Sequence, residues 1–187
     1  MNFLKRDATD VAGTAVLGAL VVIFDYSMKY SGLKIPFPWL PYLKFDFTGV
    51  PLVLSWLLFE LPSGIITSTI AFFAIFLRSG DLVGASMKAL AELSTILGMA
   101  LSFKCFKTSA KFAKASSLIL GVSLRCIIMF FANLVVLPLY YTVPQLAVIM
   151  ISPLILAFNV VQGLISILLG FFLYDVVVQR TSLKLAK

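Results

Sequence analysis

Residues 11–24 read Val-Ala-Gly-Thr-Ala-Val-Leu-Gly-Ala-Leu-Val-Val-Ile-Phe, an unbroken run of apolar and small side chains with no charge. Extended to 9–30, the segment has the roughly 20 residues that a helix needs to cross a bilayer. A signal peptide behind Lys5 and Arg6 is the competing reading. It fails because Asp25, Tyr26 and Lys29 stand where small cleavage-site residues belong. Further apolar windows predict spans at about 48–60, 64–78, 83–103, 115–140 and 152–178. In these, Thr48 is a candidate cap, Pro51 is tolerable in a first turn, Leu61-Pro62-Ser63-Gly64 is a turn, and Ser152-Pro153 opens the last helix. The expected fold is therefore a single domain over 1–187, an all-α integral membrane protein of six transmembrane helices. A structured Pro- and aromatic-rich outer loop over 31–46 joins the first two.

Composition supports this. Of 187 residues, 61% are hydrophobic and 12% charged, against about 45–50% and 25% in soluble domains, and the mean hydropathy is +1.07. So much apolar surface excludes a soluble enzyme, a disordered chain and a secreted disulfide scaffold. The absence of His removes Ser-His-Asp and Cys-His catalysis and HExxH metal sites. Cys105 and Cys126 alone complete neither a disulfide framework nor a metal ligand set. The net charge of +7 lies mostly in the gaps between spans, without base-stacking or groove-reading motifs, so no nucleic-acid partner is expected. With six spans, Lys5, Arg6, Lys104, Lys107, Lys111, Lys114, Arg180, Lys184 and Lys187 share one side. They outnumber Lys29, Lys34, Lys44, Arg78 and Lys88 on the other. The positive-inside rule then places both termini in the cytoplasm of a plasma-membrane protein and the 31–46 loop outside.

Polar residues inside spans are the functional candidates, because lipid penalises them unless they face the protein interior. Arg125 is either a ligand or partner contact or a helix-paired or snorkelling side chain. Glu92 is either a site residue or the partner of Arg125. Asn133 and Asn159, each about six residues from the outer end of its predicted helix, are expected at one depth, roughly 9 Å below the boundary. Gln162 shares the Asn159 face. They are either a binding site or interhelical hydrogen bonds. Phe37, Trp39, Leu40 and Tyr42 are either a lid or an interfacial aromatic belt. Ala15-x-x-x-Ala19 is a small-residue stripe, for internal packing or for a partner helix.

Four stretches together resemble one family, the substrate-binding S components of energy-coupling factor (ECF) vitamin transporters, most closely the riboflavin-specific type. Ile35-Pro-Phe-Pro-Trp-Leu-Pro-Tyr-Leu-Lys-Phe-Asp-Phe-Thr-Gly-Val-Pro51 is similar to a proline-aromatic loop leading into L-x-h-D-F-S-D-h-P, where h is apolar. Leu43, Asp46, Phe47 and Pro51 match, Thr48 replaces Ser, and Gly49 departs from Asp. Glu92-Leu-Ser-Thr95 resembles G-E-h-A-N with Thr95 for Asn. Asn133 through Tyr140 resembles N-x-x-x-x-P-x-Y, and Phe158-Asn159-Val-Val-Gln162-Gly163 resembles P-F-N-h-h-K-G with Gln162 for Lys.

The resemblance implies riboflavin as the transported ligand with no resident cofactor and no chemistry. It implies flavin contacts from Asn133 and Asn159, with Gln162, Glu92, Thr95, Leu43 and the outer-loop aromatics nearby. It also implies a T component docking on Ala15 and Ala19, and two ATPase subunits. The chemistry agrees. A side-chain amide offers the donor and acceptor that the carbonyl–NH–carbonyl edge of a flavin requires, and the chain holds no GxxxxGK[ST] phosphate loop. The alternatives are another heteroaromatic vitamin or precursor in the same class, a stand-alone secondary transporter, or a membrane enzyme.

Overall fold

The computed structural model describes residues 8–105 and 110–180. Lys5, Arg6, Lys107, Lys184 and Lys187, and the side chain of Lys111, lie outside the described residues. The elements are α1 (Ala8–Tyr30), β1 (Ile35–Phe37), β2 (Leu40–Phe45), α2 (Gly49–Ser79), α3 (Leu82–Cys105), α4 (Ala110–Tyr141) and α5 (Gln145–Arg180). Among the described residues, five helices are long and apolar enough to cross a membrane.

The second and third predicted spans fall in one element, α2. Its helix breaks at Phe59 (φ −129°, ψ 21°) and Glu60 (φ 66°, ψ 178°), just before the turn expected at Leu61–Gly64. The chain doubles back there. A Cβ on Gly64 would stand 3.2 Å from the Trp56 Cβ, whereas eight residues along a continuous helix span about 12 Å. Contacts with α1 give the same direction. Phe59 lies against Gly13, Ser63 shares a 2.7 Å hydrogen bond with Thr14, and Arg78 pairs with Asp25 at the other end of α1. Pro62 falls at the start of the second arm, where no helical donor is needed.

Between α1 and α2, β1 and β2 form an antiparallel ribbon with Ile35 opposite Phe45. Both strands are edges, so Pro36 and Pro41 cost no ladder bond with a third strand. Phe37 and Leu40 turn inward onto Leu137, Val148, Ile155 and Phe158, and this caps one end of the bundle, here called the hairpin end. The larger core, with Leu52, Val53, Trp56, Ile96, Met99, Ile167 and Phe171 among its members, fills the rest. At the α3–α4 crossing, a Cβ on Gly98 would meet the Leu120 carbonyl oxygen at 2.5 Å and the Gly121 Cα at 2.8 Å. The two backbones touch because neither residue has a side chain.

Two helix starts differ from expectation. Thr48 occupies the cap position of α2 without a side-chain cap bond; its hydroxyl instead donates to Asp46 Oδ1 at 2.6 Å. The last helix begins at Gln145, so Pro153 lies inside it. One lost backbone bond there is outweighed by burial of Val148 and Ile155 on the same helix face.

Glu60 holds a backbone conformation that is nearly reserved for glycine, at a cost on the order of 1–3 kcal/mol. Glu60→Gly removes that strain and adds unfolded-state entropy of about 0.5–1 kcal/mol. The expected net effect is a gain of about 1 kcal/mol, read as a higher melting temperature in detergent; a lower one would show that the Glu60 side chain outweighs the strain.

Candidate functional site

The polar residues buried in this bundle form a connected row. At the hairpin end Asp25, fully buried, is paired by Lys34 and by Arg78. Lys34 also lies 3.7 Å from Asp46 Oδ2. Asp46, just past β2, accepts from Lys88 on α3 at 2.9 Å and from the Thr48 backbone N–H and hydroxyl. Lys88 reaches Glu92 Oε1, one helical turn on, at 2.9 Å, and Arg125 of α4 lies 3.2 Å from the same oxygen. Arg125 then donates to Thr95 Oγ1 at 3.1 Å and, across to α5, to Asn159 Oδ1 at 3.1 Å. Gly163 leaves room for this crossing, since a Cβ there would stand 3.3 Å from Arg125 Cδ. The row thus ties all the helices together, α1 and α2 through Asp25 and Arg78.

Burial sets its electrostatics. Glu92 and Arg125 are 1% exposed, and an isolated charge there would cost several kcal/mol. Each is tolerated because the other is present. Among the described residues, Glu92 Oε2 and the Ser166 hydroxyl have no hydrogen-bond partner. Both press on Gly49, where a Cβ would fall 2.4 and 2.3 Å from them, so position 49 admits only glycine. Burial pushes the Asp46 carboxyl upward, but the charges of Lys88 and Lys34 and the bonds from Lys88 and Thr48 outweigh it and hold its pKa below the ordinary value. A depressed carboxylate stabilises the fold above its unfolded pKa. That contribution disappears as pH falls through the lower, folded-state pKa.

The predicted residues divide into groups. Glu92, Thr95 and Asn159 meet at Arg125, and Arg125 is paired with Glu92. Gln162, fully buried, is on this row too, but its amide is engaged by the Asp46 backbone. Asp46 N–H donates to Oε1 at 3.3 Å and Nε2 donates to Asp46 C=O at 2.8 Å. Asn133 is buried and donates to Met129 C=O of its own helix at 2.7 Å.

The two asparagines are not at one depth. Arg125 is level with Asn159, and Asn133 is eight residues, about 12 Å, further along α4. The early start of α5 accounts for this, because it puts Asn159 fourteen residues from its helix start. Phe37, Phe45 and Phe158 pack on one another with ring centroids 4.8–5.8 Å apart. Of the loop residues, Phe37 and Leu40 are buried, Leu43 is half-buried, and Trp39 and Tyr42 are exposed, with Trp39 edge-on to Phe37.

Lys88, Asp25 and Lys34 were not anticipated as members of the site. Lys88 falls inside the predicted 83–103 span but counts there only among the outer-side basic residues, although Lys88 and Glu92 at i, i+4 in an apolar helix are the available signal. Ala15 and Ala19 are exposed on α1, so the stripe does not serve packing within this bundle. A groove of 310 Å³ between α2 and α3, lined by Ile65, Phe72 and Leu93 among others, contains none of the row's residues.

These features define a class: a multi-pass membrane protein whose helices enclose a polar seam beneath an aromatic hairpin. No family model and no curated protein matches the chain. Among solved structures, the S component of a bacterial ECF transporter is similar to it at 26% identity with a TM-score of 0.79. The match covers 94% of this chain and 98% of that one. That likeness supports the S-component family, and the neighbour is a transporter subunit.

Removing one member of the buried pair strands the other. Arg125→Met is expected to destabilise by about 3–5 kcal/mol. Arg125→Met combined with Glu92→Met should recover a large part of the loss. Thermal unfolding of the two variants in one detergent tests this; equal losses for the single and double variants would mean that the two charges are not coupled.

Proposed function

We propose that this chain is the riboflavin-capturing S component of an ECF-type vitamin importer. It sits in the plasma membrane with the hairpin end outside and both termini in the cytoplasm, and is energised by a T component and two ATPase subunits. One observation carries the reading. Phe158, packed with Phe37 and Phe45 at the hairpin end, is adjacent in sequence to Asn159, which Arg125 holds. Small-ligand sites are mostly apolar with a few placed polar groups, and Asn159 and Asn133 are the ones such a site would use. The aromatic trio of Phe37, Phe45 and Phe158 suits a flat ring system, and the asparagine amides suit the carbonyl–NH–carbonyl edge. The whole-length likeness to an S component supports the class, and the exposed Ala15 and Ala19 suit close approach of a T-component helix.

A second ligand has a specific observation in its favour. Gln162 is engaged by Asp46 and Thr95 by Arg125, and both replace family residues. Another heteroaromatic vitamin that needs fewer contacts is the runner-up.

The detergent-purified protein is expected to carry riboflavin, or to quench its fluorescence on titration. Asn159→Ala should weaken binding roughly 5- to 150-fold, the effect of leaving a buried partner unsatisfied at about 1–3 kcal/mol. A colourless protein that gives no heat with riboflavin in calorimetry removes that ligand. A thermal-shift screen of other vitamins then tests the class.

Leucines at both Ala15 and Ala19 are expected to abolish uptake by the assembled transporter and leave ligand affinity unchanged. Normal assembly of that double variant with the T component would remove the docking role.

A further inference from the structure

Gln162 is fully buried, lies in the seam and belongs to a stretch resembling a ligand-binding motif, yet its amide faces a peptide group. Oε1 accepts the Asp46 N–H at 3.3 Å and Nε2 donates to the Asp46 C=O at 2.8 Å. One side chain therefore takes both polar groups of a single residue, as a neighbouring β-strand would. Asp46 immediately follows β2, so this is where the hairpin rejoins the bundle. The other root of the hairpin is at Lys34, immediately before β1, which pairs with Asp25 of α1. Gly32, with φ 72°, supplies a turn between α1 and that anchor. Between the two roots, Phe37 and Leu40 pair with each other in the ribbon and meet α4 and α5 through apolar contact. The Asp46 side chain is occupied elsewhere, by Lys88 and Thr48, so the backbone clamp is separate from the ion pairs.

We propose that Gln162 is a positioning residue that pins the trailing root of the hairpin through the Asp46 peptide and so sets how fast the seam exchanges its ligand. Its role is exerted through the hairpin and not by contact with the ligand. Ligand exchange here rests on the proposed function, but the clamp itself does not, and the two are read separately.

The first measurement uses ligand-free protein in detergent. Gln162→Met keeps the side chain's length and removes both hydrogen bonds. Deuterium uptake over residues 35–47 should accelerate about tenfold, the effect of losing two buried bonds of ordinary net strength, with the helices unchanged. Gln162→Glu still accepts from Asp46 N–H but cannot donate to its carbonyl, and should give a smaller acceleration. If Gln162→Met loosens every segment, the Glu variant decides. Unchanged uptake over 35–47 in a folded variant overturns the clamp.

The second measurement uses riboflavin in stopped-flow fluorescence. Loss of a clamp on the hairpin in Gln162→Met raises association and dissociation rates together, so Kd moves less than either rate. Loss of a ligand contact raises dissociation alone, and that result also overturns the proposal. If riboflavin does not bind at all, the ligand assignment fails and the exchange experiment still decides the clamp.

Discussion

Glu92 and Arg125 lie in the middle of an apolar bundle with almost no surface exposed to solvent, and neither could remain there charged without the other. Their pairing requires α3 and α4 to cross at one register. Asn159, bonded to the same guanidinium, requires α5 to join at that level. From Glu92 the requirement passes through Lys88 to Asp46 and on to Lys34 and Asp25. Hydrophobic burial in lipid does not specify such an arrangement, because lipid tails are as apolar as the side chains they would replace. The ionic row supplies the register that apolar packing leaves open.

This arrangement also explains why the hairpin lies where it does. Its apolar inward face would pack on many surfaces, but Lys34 and Asp46, the residues that bracket it, each have a charged partner on a helix. The aromatic trio is thereby held against α4 and α5 at the hairpin end. The placement of the aromatic trio follows from the same ion pairs that stabilise the bundle.

How much of this was legible in the sequence depended on the range of the signal. The spans are local, and hydropathy placed them to within a few residues at most ends. Glu92, Arg125 and Asn159 stood out because a polar residue in an apolar run has to be accounted for. The break at Glu60 had no such marker, since a non-glycine residue at φ 66° is not predicted by any local rule; Pro62 and Gly64 drew the expected turn slightly too late. Pro153 misled in the opposite direction, as a helix start that is a helix interior, and the error moved Asn159 to the wrong depth. Partners distant in sequence, such as Asp46 and Gln162 at 116 residues apart, leave no periodicity to read. For the same reason Lys88, inside the predicted 83–103 span, gives no sign of its partner Asp46.

The Gly98–Gly121 contact has a mechanical consequence. Where helices meet through side chains, rotamers can re-sort and one helix can slip against the other at small cost. Backbone on backbone leaves nothing to re-sort, and any lateral shift opens a gap or a clash at once. Compliance in this protein is therefore unevenly distributed. The α3–α4 crossing is the point of least compliance, and it lies within two turns of Glu92 on α3 and of Arg125 on α4.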